Sequence, residues 1–167
     1  MVHSFKFTGY RSYPSEAIQK ILQESLADED LNYFIAISEA VCNATKYAVD
    51  GLLEAEIEIT LKVESCAVQT TIKSKSKPFD AASYREKLRS YAKNKEIKKK
   101  DWQDVWMDEE NLSGRGFWLM LAACDYIFVD SDGECITLHT PRPNVLYRTQ
   151  IEQIVPRFFI LSKGVIK

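Results

Sequence analysis

Glu39 and Asn43 stand four residues apart in the segment S-E-A-V-C-N-A-T-K that covers residues 38–46. On a helix this spacing puts both on one face, and Lys46 joins that face three residues further on. A carboxylate in such a place can take a proton from a hydroxyl or polarise water, and an amide oxygen can ligate magnesium. A solvated helix face with local pairing has the same spacing. A second segment, L-S-G-R-G-F-W-L over residues 112–119, sets Gly114, Arg115, Gly116 and Phe117 at the mouth of an apolar run. Glycines there let backbone N–H groups approach an anion, and the helix dipole favours phosphate at that end. Arg115 adds a fork-shaped cation that suits phosphate oxygens. A tight turn whose glycines only relieve crowding reads the same way.

The elements that must hold these segments follow from periodicity. Residues 3–8 alternate as a short strand. After Pro14, the residues Ala17, Ile18, Ile21, Leu22 and Leu26 recur at helical spacing. Asp28 and Asp30 offer N-caps to a second helix, expected to carry Leu31, Phe34, Ile35, Ser38, Val41, Cys42 and Thr45 along its buried side. Ile57, Ile59, Leu61 and Val63 alternate with polar residues, and Val68, Thr70 and Ile72 follow as the partner strand of a hairpin. Residues 81–97 read as a charged surface helix, followed by a loop. The helix from Gly114 runs to about Cys124, and strands at 126–129 and 135–139 are joined by a turn at Asp132 and Gly133. This order predicts an α/β (α+β) two-layer sandwich, one mixed and mostly antiparallel sheet with helices on a single face.

A helix with Glu-x-x-x-Asn, a hairpin, a variable lid, then Gly-Arg-Gly-Phe opening a helix before two closing strands resembles the GHKL (histidine-kinase-like) ATPase superfamily. Within it the chain is most similar to the bacterial anti-sigma-factor serine/threonine kinases. The resemblance covers roughly residues 5–141 and implies a Bergerat-type ATP-binding fold. It divides the chain into an ATPase domain at 1–141 and a C-terminal extension at 142–167, packed on or beside it. It implies Asn43 as the magnesium ligand, Glu39 as the general base, and Gly114, Arg115 and Gly116 as the phosphate cradle. Lys46 and Phe117 are expected to line the same nucleotide site. The cofactors it implies are ATP and Mg2+, and the partners a sigma factor or an anti-anti-sigma-type protein.

One box departs from that pattern. Where the family carries Asp-x-Gly-x-Gly-Phe-Asp, this chain reads Ser74-Lys75-Ser76-Lys77-Pro78-Phe79-Asp80. The Phe-Asp tail fixes the alignment. The aspartate that would receive the adenine amino group is Ser74, and the two glycines are Ser76 and Pro78. Losing a hydrogen bond to a charged acceptor costs about 1.5–3 kcal/mol, roughly ten- to a hundredfold in affinity. Ser76 tolerates a positive φ poorly, and Pro78 removes a donor. Asp80 is the candidate replacement acceptor. Lys73, Lys75 and Lys77 bring new positive charge or simply face outward.

Bulk properties narrow the classes. The net charge of -2 does not by itself imply a strongly charged partner, although eleven of the 22 Lys and Arg residues fall between positions 73 and 100. That run is either an anion-binding lid or a solvated helix face, and without interleaved aromatics it makes nucleic acid an unfavoured partner. The longest apolar run, residues 117–124, is far too short to span a membrane. The first residues lack the apolar core of a signal peptide, so a cytoplasmic location is expected. Cys42, Cys66, Cys124 and Cys135 are expected as buried free thiols. The apolar cluster Ile154, Val155, Phe158, Phe159 and Ile160 can cap the sheet, form a homodimer contact or dock a partner. Two functions stay open: a nucleotide-binding regulator that phosphorylates a serine on an antagonist protein, and a pseudoenzyme that keeps the fold as a protein-binding module.

Overall fold

A computed structural model describes residues 1–26, 31–107, 114–142, 147–162 and 165–166. Asp28, Asp30, Leu112, Ser113 and Pro143, which carry some of the sequence-based expectations, lie outside the described residues. The strands are β1 (Val2–Thr8), β2 (Glu56–Val63), β3 (Ala67–Ser74), β4 (Tyr126–Asp130), β5 (Cys135–Pro141), β6 (Phe158–Ser162) and β7 (Val165–Ile166). The helices are α1 (Ser15–Ser25), α2 (Leu31–Lys46), α3 (Ala81–Lys93), α4 (Trp102–Met107), α5 (Arg115–Ala123) and α6 (Ile151–Ile154).

Period-two alternation builds one sheet in the order β1-β2-β3-β5-β4-β6-β7. Every pairing is antiparallel except that of β4 with β6. Ile57, Ile59 and Leu61 of β2, Val68 and Ile72 of β3, Leu138 of β5, and Ile127 and Val129 of β4 are buried. The residues between them are mostly half-buried or exposed, so the helices cover one face and the other is open. The protein is a mixed α/β sandwich of the expected class.

Three readings of the sequence need correcting. The buried side of α2 is Tyr33, Ala36, Ile37, Ala40, Val41 and Thr45, while Leu31 and Cys42 are exposed. The true stripe is rotated because α2 is apolar on more than one side, and Tyr33 turns inward to hydrogen-bond within the core. Its hydroxyl lies 3.0 Å from both Thr70 Oγ1 and the Leu138 carbonyl and donates to either. Ala17 of α1 is likewise exposed, leaving Ile18, Leu22 and Leu26 to face the core. Of the four free cysteines only Cys124 is buried; Cys42 and Cys66 are exposed and Cys135 is intermediate.

The stretch after the charged helix holds a further helix, α4, whose Trp102 and Val105 are buried. Trp102 lies parallel to Trp118 of α5, with ring centroids 6.5 Å apart and planes within 8°. Residues beyond Pro141 continue the same sheet: Phe158, Phe159, Ile160 and Leu161 of β6 pair with residues 127–130 of β4. No helix among the described residues is long and apolar enough to cross a membrane.

Tyr33→Phe should cost about 1–2 kcal/mol of stability, because Thr70 is left buried without its partner. Adding Thr70→Val should return part of that loss, which chemical denaturation of the single and double variants would measure.

Candidate functional site

α2 and α5 pack against each other, and two of the expected site residues meet between them. A Cβ built on Gly116 would overlap Glu39 Oε2 and lie 3.2 Å from the Glu39 carboxyl carbon. Glycine at 116 is therefore what allows the Glu39 carboxylate to rest against the first turn of α5. Asn43 sits one turn further along α2, and both side chains are half-buried. Among the described residues neither the Glu39 carboxylate nor the Asn43 amide has a hydrogen-bond partner. Both are open enough to meet solvent or a ligand.

Gly114 opens α5 with φ +98, a left-handed conformation that favours glycine. Its carbonyl accepts from Phe117 N (2.9 Å) and Trp118 N (3.3 Å). The amides of Arg115 and Gly116 are those that no preceding helical turn can satisfy, and with the dipole they make an anion-binding end. Arg115 is exposed, its guanidinium carbon 5.8 Å from the centre of the Trp106 ring on α4. Tyr84 of α3 closes the other side: its hydroxyl would lie 3.6 Å from a Cβ on Gly114. Phe117 joins an aromatic cluster, with ring centroids 4.9 Å from Tyr84 and 5.1 Å from Phe158.

The chain after the first 3-10 turn (Tyr10–Ser12) adds residues the sequence did not flag. Tyr13 and Ser38 hydroxyls are 3.4 Å apart. Burial pushes the Tyr10 phenol up, and the nearby Cys42 and Glu39 push it further. Burial also raises the Cys42 thiol, with Glu39 adding to the shift and Lys46 opposing it. Cys42 is thus held protonated, unsuited to act as a thiolate nucleophile. Lys46 is exposed, its ammonium 5.1 Å over the Tyr47 ring. Only tertiary folding brings Tyr10 to α2, so no local periodicity could have announced it. Tyr84 and Trp106 carried a faint signal, as aromatics within a charged stretch.

The altered box is stitched to its surroundings. Val49 N donates to Lys75 O (3.0 Å) and Lys77 N to Tyr47 O (2.8 Å), tying the end of α2 to this segment. Ser74 shares a sheet face with Ile72 by alternation, and its amide donates to Glu134 O (2.9 Å). The Ser76 hydroxyl donates to Gly133 O (2.9 Å). Phe79 crowds the same turn, since a Cβ on Gly133 would come within 2.8 Å of the Phe79 Cβ. Asp80 caps α3 by accepting from Ser83 N (2.9 Å). Ser74 also lines a wide cleft of about 860 Å3 with Phe7, Ile57, Lys73 and Lys75, whose walls do not include Glu39, Asn43 or Gly116. The structure therefore brings Glu39 against the glycine turn, with Asn43 one turn along α2, while Ser74 lines the separate cleft and Ser76 and Asp80 make hydrogen bonds within their own segment.

A search of curated proteins returned no match. The family model described as the histidine kinase-like ATPase domain matches residues 15–140, which is 126 of the 167 residues and runs from α1 through β5. With the Glu39–Gly116 contact and the left-handed Gly114 turn lying inside that match, the chain belongs to the histidine kinase-like ATPase domain family.

Proposed function

We propose that this chain is an ATP-binding regulatory domain of the anti-sigma-factor kinase kind, which transfers phosphate to a serine hydroxyl of an antagonist protein. The observation that carries this reading is the Glu39 carboxylate resting against Gly116, with Asn43 one turn away and both lacking hydrogen bonds among the described residues. Phosphate oxygens fit the amides of Arg115 and Gly116 at the positive end of the α5 dipole. Arg115 is exposed there to neutralise charge that develops on the transferring group. The Asn43 amide oxygen would hold magnesium, which supplies charge neutralisation between phosphates. Glu39 would accept the proton of the serine hydroxyl as that oxygen attacks the γ-phosphorus of ATP, the bond from phosphorus to the bridging oxygen breaking so that ADP leaves.

A second reading, the non-catalytic protein-binding module, is favoured by the altered box. Ser76 spends its hydroxyl on Gly133, and Asp80 spends its carboxylate on the α3 cap. Those bonds hold both side chains in place at the turn before β5 and at the start of α3, so turning either one towards an adenine would disturb them. Under this reading partner binding ignores ATP and survives Asn43→Ala.

Calorimetry with ATP, with and without magnesium, separates the two. Magnesium-dependent binding that weakens roughly ten- to a hundredfold in Asn43→Ala supports the kinase reading; no heat and no thermal stabilisation at millimolar ATP refutes it. Glu39→Gln should bind ATP like the parent chain while any phosphoryl transfer or hydrolysis falls by about a hundredfold or more. Gly116→Ala should change the melting temperature little, since the added methyl meets the far end of the flexible Glu39 side chain, which can swing away. The same change should depress turnover by displacing the Glu39 carboxylate. A comparison of melting and steady-state rates would show the two effects diverging.

A further inference from the structure

Residues 147–162 lie between the α3–α4 region and the body of the domain and are bonded to both. On the outer side, Trp102 N donates to Thr149 O (2.8 Å), Glu152 N to Lys98 O (2.9 Å) and Ile151 N to Lys100 O (3.2 Å). Asp101 and Gln150 form an isolated antiparallel bridge at the same place. On the inner side, Arg148 N donates to Ala122 O (3.1 Å) at the end of α5.

One carboxylate anchors that inner side. Asp125 Oδ1 accepts from Arg148 (3.1 Å) and from Arg157, whose guanidinium also donates to the Asp125 carbonyl (2.9 Å). The three side chains are only 19–25% exposed, so these charge-assisted bonds are partly shielded from water. Without Asp125 the two arginines would face each other with no shared anion between them. The segment they anchor leads into Phe158, which packs on Tyr84 and Phe117. Tyr84 lies beside Gly114, and Trp106 lies under Arg115. A continuous chain of contacts thus runs from Asp125 to the glycine turn without Asp125 touching the turn.

We propose that Asp125 is a positioning residue for the phosphate-binding turn: by holding Arg148 and Arg157 it fixes the C-terminal strap, the strap fixes α3 and α4, and these set Tyr84 and Trp106 beside Gly114 and Arg115. The proposal rests on the nucleotide reading given above. Because Gly114 and Arg115 are exposed to solvent, the strap does not plug the turn. It pre-organises the walls, which lowers the ordering cost a ligand must meet. Coupling of this kind is reciprocal, so a ligand on the turn also tightens the strap.

Asp125→Asn, Asp125→Glu and Arg157→Lys in the full chain test it, with hydrogen exchange and Mg-ATP titration as paired readouts. In Asp125→Asn, amide exchange of α3, α4 and residues 147–162 should quicken together while β2 and β3 keep their protection. The dissociation constant for Mg-ATP should rise about tenfold, the scale of one lost charge-assisted bond. Asp125→Glu, which keeps the charge, should stay close to the parent on both readouts. Arg157→Lys loses the fork but keeps the cation, and should give a milder version of the same pattern if Asp125→Asn fails to fold. In the parent chain, Mg-ATP should slow exchange of residues 147–162. Unchanged exchange in α3 and α4, or quickened exchange with unaltered affinity, would overturn the proposal. A parent chain that binds no ATP would instead refute the nucleotide reading, and the exchange arm alone would still decide whether Asp125 holds α3 and α4.

Discussion

The close approach of α2 to the first turn of α5 is the constraint on which the rest of the site depends. A methyl group at position 116 would occupy the space of the Glu39 carboxylate, so the Glu39 carboxylate can rest against the first turn of α5 only while that position stays bare. The sheet fixes the other side of α2: Tyr33 reaches through the core to Thr70 and Leu138, on β3 and β5. A helix pinned to the sheet by a buried hydroxyl and to its neighbour by a missing side chain has little freedom to roll. That rigidity holds the half-buried side chains of Glu39 and Asn43 in fixed places on the helix face.

Much of this was legible in the sequence because it rests on local patterns. Alternation placed β1 to β5, and helical spacing placed α1, α2, α3 and α5. The Glu39/Asn43 spacing and the Gly-Arg-Gly turn stood out because their chemistry needs fixed offsets along the chain. What misled the reading was phase. An apolar helix such as α2 offers several stripes of similar strength, and the choice between them was made by a polar atom, the Tyr33 hydroxyl, that periodicity treats as noise.

The remaining misses are tertiary. Asp80, read from the sequence as a candidate acceptor, also serves as the cap of a helix beginning at Ala81, a second role that the sequence reading did not name. Tyr10 is remote from α2 in sequence and is brought beside Glu39 and Cys42 by the turn after β1. Trp102 and Trp118 stack from separate helices, which composition alone could not pair. The apolar C-terminal cluster was readable as something that must be covered, and β6 covers it by becoming part of the sheet.

That strand has a consequence for the chain as it is made. β6 is the parallel neighbour of β4 and follows it by nearly thirty residues. A ribosome that has released β4 and β5 has already delivered an antiparallel pair, but the far edge of β4 still shows unpaired backbone groups beside Ile127 and Val129. Until residues 158–161 emerge, that edge is an open template for any other extended segment nearby. A strand made well after its neighbour is therefore also the one that shields a growing chain from pairing with others on a crowded polysome.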